Sequence, residues 1–151
     1  MPRAVLDTTV LVSGLLTPIS GGVSHDLLRL CADNAFELFV SEAILAETER
    51  VLRSARIRKQ YTHTDEDIRR YLAELARLAI VVSDVPAVRV VRDPADDMVV
   101  GCAIAASAKY LVSRDKDLLS LGAYQGIAMI KPEAFLRILR ENLRVATEQD
   151  C

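Results

Sequence analysis

Much of what the chain lacks is informative. There is no Trp, and only two His and three Cys occur in 151 residues. Cys31, Cys102 and Cys151 are odd in number and widely spaced, which excludes a disulfide framework and a cysteine-based zinc site. Cys31 and Cys102 sit in apolar helical patterns as small buried hydrophobes, and a reducing cytoplasm is the compartment expected. His25 and His63 have no partner at ligand spacing and are expected at the surface or at caps. No run of about 18 apolar residues occurs, so no membrane span is expected. Met1 to Asp7 leads directly into a strand, without the basic and long apolar regions of a secretory leader. A net charge of −2 is not that of a strongly basic nucleic-acid binder. Affinity for a polyanion would need local basic patches and a cation to offset the acids. Internal repeats and low-complexity segments are also missing.

Apolar residues make up about half of the chain, enough to bury a core. Its length suits one domain, expected over residues 1–145 with a short tail at 146–151. Ala4-Val5-Leu6 forms a short strand ending at Asp7. Val10 to Leu16 continues apolar until Pro18, Ser20, Gly21 and Gly22 break it. Val23 to Ala32 reads as a helix, and Phe36 to Val40 as a second strand. Ser41 is an N-cap for a helix with the stripe Ile44, Leu45, Thr48, Val51 and Leu52. Residues 54–61 form a basic short helix or loop. Thr64 and Asp67 resemble a capping box ahead of a helix reaching Leu78. Ala79 to Val82 is a third strand and residues 84–92 a connector.

Asp93-Pro94 opens the next helix, with Asp as N-cap and Pro in the first turn. Residues 97–108 are apolar around most of the circumference, which predicts a buried helix, and Gly101, Ala105 and Ala108 would admit a close neighbour. Tyr110 to Ser113 and Ile127 to Ile130 are the fourth and fifth strands, separated by a helical turn at Leu118 to Leu121. Pro132 opens a last amphipathic helix carrying Phe135, Leu136, Ile138, Leu139 and Leu143. Short apolar strands alternating with helices predict an α/β fold with a mostly parallel sheet.

Right-handed crossovers bring the C-terminal ends of such strands, and the helix N-termini that follow, to one edge. Asp7 and Asp115 end the first and fourth strands. Asp93, Asp96 and Asp97 open the buried helix. Glu42, Glu47 and Glu49 lie on the helix after the second strand. Carboxylates gathered in this way repel and raise one another's pKa, unless protons are shared or a cation intervenes. Oxygen donors without His or Cys point to Mg2+ or Mn2+. Such an ion can lower the pKa of a water and clamp a phosphate. Singly, each acid has an ordinary role. Asp93 is a cap, Asp96 and Asp97 complement a helix dipole, and Asp7 and Asp115 suit turns. At about 100° per residue, Glu42, Glu47 and Glu49 all lie near the margin of the apolar stripe, so helical phase does not choose among them.

Several segments together resemble the PIN domain family. They are Val5-Leu6-Asp7-Thr8, Ser41-Glu42 followed by Glu47, Asp93-Pro94-Ala95-Asp96-Asp97 with its Ala-rich helix, Leu111 to Leu119, and Lys131 to Leu136. The likeness runs from about residue 3 to 140 and is nearest the prokaryotic toxins of toxin–antitoxin pairs, the VapC-like branch. It implies a three-layer α/β/α fold with five strands in the order 3-2-1-4-5, and Mg2+- or Mn2+-dependent cleavage of RNA. It implies Asp7, Glu47, Asp97 and Asp115 as the catalytic, metal-holding set. Ser113 matches a small hydroxyl position, and Asp117 would be an outer member. Thr9 stands where the family often has Asn, and its hydroxyl lacks the second function of an amide. Asp93 stays compatible with a cap role beside the site.

Arg53, Arg56, Arg58 and Lys59, near Arg50, form an acid-free basic run expected to grip RNA, with Arg69, Arg70 and Arg77 on the next helix. Tyr61 and Tyr71 are candidates for base stacking or core. Surplus apolar residues in 10–16 and in the last helix suit a homodimer, which the resemblance also implies together with an antitoxin partner. Two other readings stand beside the enzyme. A non-catalytic PIN-like module binding RNA or protein is compatible with Thr9. An Asp-based phosphotransfer domain is opposed by Thr9 and by the absence of an acidic pair in Met1 to Leu6.

Overall fold

In the computed structural model, residues 1–16 and 22–149 are described. Strand β1 (Arg3–Leu6) lies at the centre of the sheet with three fully buried residues, Ala4, Val5 and Leu6. Such a continuous apolar run marks a parallel strand covered on both faces. It pairs in parallel with β2 (Glu37–Ser41) on one side and β4 (Tyr110–Val112) on the other. β3 (Ile80–Val82) extends the sheet beyond β2, and β6 (Ile127–Ile130) extends it beyond β4, both parallel. The order β3-β2-β1-β4-β6 reproduces the expected 3-2-1-4-5 arrangement.

One strand was not expected. Ala123–Tyr124 forms β5, antiparallel to β6 at the end of the sheet, making six strands. Gln125 and Gly126, both at positive φ (49° and 80°), make the two-residue turn between them. Tight hairpins of this kind require left-handed backbone at both central positions.

Between β1 and β2 lie α1 (Thr8–Leu16) and α2 (Val23–Ala32). The apolar stretch after Asp7 is thus a helix, started by Leu11 N–H donating to the Asp7 carbonyl. Pro18, Ser20 and Gly21, the expected breakers, lie outside the described residues, as does Cys151. After β2 come α3 (Glu42–Leu52), α4 (Ala55–Gln60) and α5 (Asp65–Leu78). Ser41 caps α3 by accepting from Ile44 N–H, and Thr64 with Asp67 forms the complete capping box of α5. α6 (Pro94–Ala105) precedes β4, α7 (Lys116–Leu121) follows it, and α8 (Pro132–Gln149) follows β6.

Right-handed crossovers put the helices between β1 and β3 on one face and α6 and α7 on the other. α8 packs beside α2 on the first face. There Phe135 meets Phe36 edge-on, with ring centroids 5.0 Å apart, and lies against Tyr110. The helix continues through residues expected as tail, and residues 140–149 are all exposed. Cys31 and Cys102 are buried free thiols. Among the described residues no helix is long and apolar enough to cross a membrane.

Candidate acidic site at the sheet edge

The register of β1 and β4 brings two loops together. Leu6 stands opposite Val112, so Asp7 and Ser113 follow as neighbours just past the ladder. Asp7 N–H still donates to the Val112 carbonyl at 2.9 Å, and Ser113 N–H to Ile130 at 3.0 Å, so the ladder reaches the site itself. Asp7 is only 4% exposed. Its Oδ2 accepts a short hydrogen bond from the Ser113 hydroxyl, and its Oδ1 accepts from Thr9 N–H at 3.2 Å. The Ser113 hydroxyl in turn accepts from Asp115 N–H at 2.9 Å, tying the β4 loop to the Asp7 carboxylate. Burial raises the pKa of Asp7, the Ser113 and Thr9 hydrogen bonds oppose the rise, and the nearby Asp115 carboxylate adds to it.

Asp115 is the N-cap of α7, its Oδ1 accepting from Asp117 N–H at 2.9 Å and Leu118 N–H at 3.3 Å. Across from it, α6 presents Asp96. Its pKa is pushed up to about 7, first by burial and then by Asp115, Asp7, Asp93 and Asp117. The Asp96 carboxyl makes no hydrogen bond or ion pair among the described residues, although its backbone N–H donates to the Asp93 carbonyl at 3.0 Å. Asp7, Asp96 and Asp115 therefore form the inner acidic group. Asp93, which caps α6 through Ala95 N–H at 2.9 Å, and Asp117, paired with Arg92 at 3.2 Å, stand outside it.

Two of the expected acids are placed differently. Asp97 does not face Asp7: its Oδ1 accepts from Val90 N–H at 2.8 Å and Val91 N–H at 2.9 Å, holding the connector before α6. Asp96 and Asp97 are separated by about 100° around the helix, so only one of them can point into the group. Glu47 is clasped by Arg50, with Oε2 accepting from Nε at 2.9 Å, and this pairing keeps its pKa low. It is not among the acids that raise Asp7 or Asp96. Thr9 contributes its backbone N–H, while the residue itself is exposed.

The basic run is partly committed within the protein. Arg53 pairs with Glu49 at 3.0 Å and with Asp65 at 3.1 Å, and Arg58 also pairs with Asp65. Arg56 and Lys59 are exposed and make no ion pair among the described residues. Arg69 pairs with Glu66 and Arg77 with Glu74. Tyr71 is turned inward, its hydroxyl donating to the Leu11 carbonyl, whereas Tyr61 is exposed.

The donors at the sheet edge are all oxygens, which suits a hard divalent cation. Asp96 and the Asp115 Oδ2 accept no hydrogen bond among the described residues and are the groups able to turn toward one. As they stand, no three acidic, His or Cys side chains among the described residues are close enough to hold a metal ion, so binding requires such a rotation.

No curated protein matches this sequence. Among solved structures, a chain in the crystal structure of VapBC2 from Rickettsia felis, bound to a DNA fragment from their promoter, is similar in fold. The TM-score is 0.56 at 17% identity, over 84% of this chain and 96% of that one. The sequence matches the PIN domain family over residues 3–117, the span that holds every acid of the group and both strands that position it. By that match, the chain belongs to the PIN domain family.

Proposed function

We propose that this protein is a metal-dependent endoribonuclease that hydrolyses RNA phosphodiester bonds at the Asp7, Asp96 and Asp115 group. The observation that carries this reading is Asp96: a half-buried carboxyl with a pKa of about 7, facing Asp7 and Asp115, with no cationic partner among the described residues. A fold does not keep such a cluster for stability, because like charges at short range cost free energy. PIN domains are generally nucleases, which agrees with a site of this kind.

Asp7, Asp96 and Asp115 would hold Mg2+ or Mn2+. When bound, the ion supplies Lewis acidity, activating a water and offsetting charge that builds on the phosphate oxygens. Ser113 holds Asp7 in one orientation, and its hydrogen bond opposes the rise in pKa that burial causes. Asp115 keeps one oxygen on the α7 backbone and offers the other. Glu47 can join only by releasing Arg50. No side-chain nucleophile is required.

The fold-level likeness to a chain of a VapBC2 complex supports a role as the toxin of a toxin–antitoxin pair. That reading implies an antitoxin chain and a second copy of this chain as protein partners, in the cytoplasm. The decisive experiment incubates the protein with RNA and DNA panels, with and without Mn2+, beside Asp7→Asn and Asp96→Asn. Cleavage of RNA only with metal, reduced at least about 100-fold in both variants, is expected. Cleavage that survives in either variant, or that needs no divalent ion, defeats the assignment. If no divalent ion binds and no RNA is cut, the non-catalytic module is the correct reading.

A further inference from the structure

The connector between β3 and α6 is an ordered strap rather than a passive link, and α6 is built to hold it. Asp97 receives the backbone N–H groups of Val90 and Val91. One turn further along the same face, Gly101 leaves room for the strap's backbone: a Cβ there would lie 2.5 Å from the Pro86 carbonyl oxygen. Val88, Val90 and Val91 pack against the core, while Arg89 and Arg92 are exposed. The strap thus buries its valines and presents its arginines. It borders a groove whose lining includes Ala43, Val88, Arg89, Arg92, Asp97 and Met98.

Arg92 reaches the acidic neighbourhood, pairing with Asp117 at 3.2 Å with its side chain 89% exposed. Arg89 makes no ion pair among the described residues. Arg114, Arg50, Arg53 and Arg58 are held by acids away from the inner group, Glu133, Glu47 and Asp65, whereas the partner of Arg92 is an outer acid of the site itself. Of the other exposed cations outside these pairs, Lys116 and Lys131 lie at the same sheet edge and add positive charge beside the group, whereas Arg56 and Lys59 lie on α4, which follows α3, whose 11 residues lead away from the Ser41 end of the sheet edge.

We propose that the strap is a phosphate-gripping arm, with Arg89 and Arg92 holding the backbone of a single-stranded polynucleotide beside the acidic group and Asp97 acting as the positioning residue that fixes the arm. The inference rests on the nuclease reading for its substrate and goes beyond it in naming the path of the strand. It moves that path from the 53–59 run, where the sequence suggests it, to the strap. The guanidinium forks suit phosphate oxygens, and with the valines packed against the core the two arginines are left on the exposed side.

The test is binding of a fluorescent single-stranded RNA oligonucleotide to the full chain, measured by anisotropy across a salt series, alongside turnover in Mn2+. Variants are Arg89→Ala/Arg92→Ala, Arg89→Lys/Arg92→Lys, Arg56→Ala/Lys59→Ala and Asp97→Asn. The first pair should weaken binding at least tenfold and flatten the log–log salt slope by about 1.4, the loss of two phosphate contacts on a single strand. The Lys pair should restore the slope, because charge and not folding sets it. Asp97→Asn should weaken binding with both arginines present, and in turnover the losses should fall more on KM than on kcat. An unchanged slope in the alanine pair, or a flattening produced only by Arg56→Ala/Lys59→Ala, overturns the arm. If wild type binds with these signatures but cuts nothing, the arm stands and the nuclease reading fails. If it cuts RNA and the alanine pair binds with an unaltered slope, the reverse holds.

Discussion

Replacing Asp96 with Asn removes one negative charge from the group while keeping its shape. The carboxyl ordinarily titrates near 3.8 and in the folded protein near 7. A raised folded-state pKa means that the native state binds the proton more tightly than the unfolded chain does. Stability from this group is therefore fully present below pH 3.8 and falls progressively as pH rises through about 7. Taken at face value, such a shift corresponds to about 4 kcal/mol. Asp96 is only half-buried, and solvent screens part of the repulsion, so about 1.5 kcal/mol is the magnitude to seek. For a chain of this size that is roughly 3–6 °C in Tm. In metal-free buffer at pH 8, Asp96→Asn should melt higher than wild type by that amount, and the gap should close toward pH 4. Adding Mn2+ should raise the wild-type Tm and leave the variant unmoved. Asp97→Asn is the control: it weakens the hold on Val90 and Val91 and should lower Tm at every pH. A variant at position 96 that melts at or below wild type at pH 8, while the one at position 97 melts higher, would refute the placement of Asp96 among close carboxylates.

Two further substitutions probe how the site is held. Ser113→Ala strips the hydroxyl from buried Asp7 and should cost about 1–3 kcal/mol by denaturant unfolding at pH 7, with the loss shrinking as Asp7 is protonated in acid; a cost independent of pH would mean that the hydroxyl does not serve the ionised carboxylate. Gly101→Ala places a methyl against the Pro86 carbonyl and should cost about 1–3 kcal/mol through displacement of the strap; wild-type stability together with unchanged hydrogen exchange at Val90 and Val91 would show that the strap does not rest on α6.

Local rules carried much of the fold. Ser41, the Thr64–Asp67 pair and Asp93-Pro94 announce three helix starts by residue type alone, and each makes its capping hydrogen bond. Length and alternation of apolar runs were enough for the five parallel strands. β5 escaped because two residues carry no periodicity, and its turn uses Gln125-Gly126 rather than the Asn-Gly or Asp-Gly pairs that signal a hairpin. The acidic edge was legible from strand ends, but the choice between Asp96 and Asp97 was not. α6 is apolar around most of its turn, so phase gives it no preferred side. What decides is where the strap lies, and the bare sign was Gly101 one turn beyond Asp97 on the same face. The basic run is legible as charge but not as free charge: residues 50–59 contain no acid, yet Glu47, Glu49 and Asp65, just outside that window, claim Arg50, Arg53 and Arg58.

Ser113 joins two loops that belong to neighbouring strands, and its hydroxyl is at once donor to one acid and acceptor from the amide of another. A slip of β1 along β4 would break the first link and leave the second, which lies wholly within the β4 loop. Fraying at this margin should therefore release the Asp7 carboxylate alone, while the Asp115 loop keeps its shape and the centre of the sheet remains zipped.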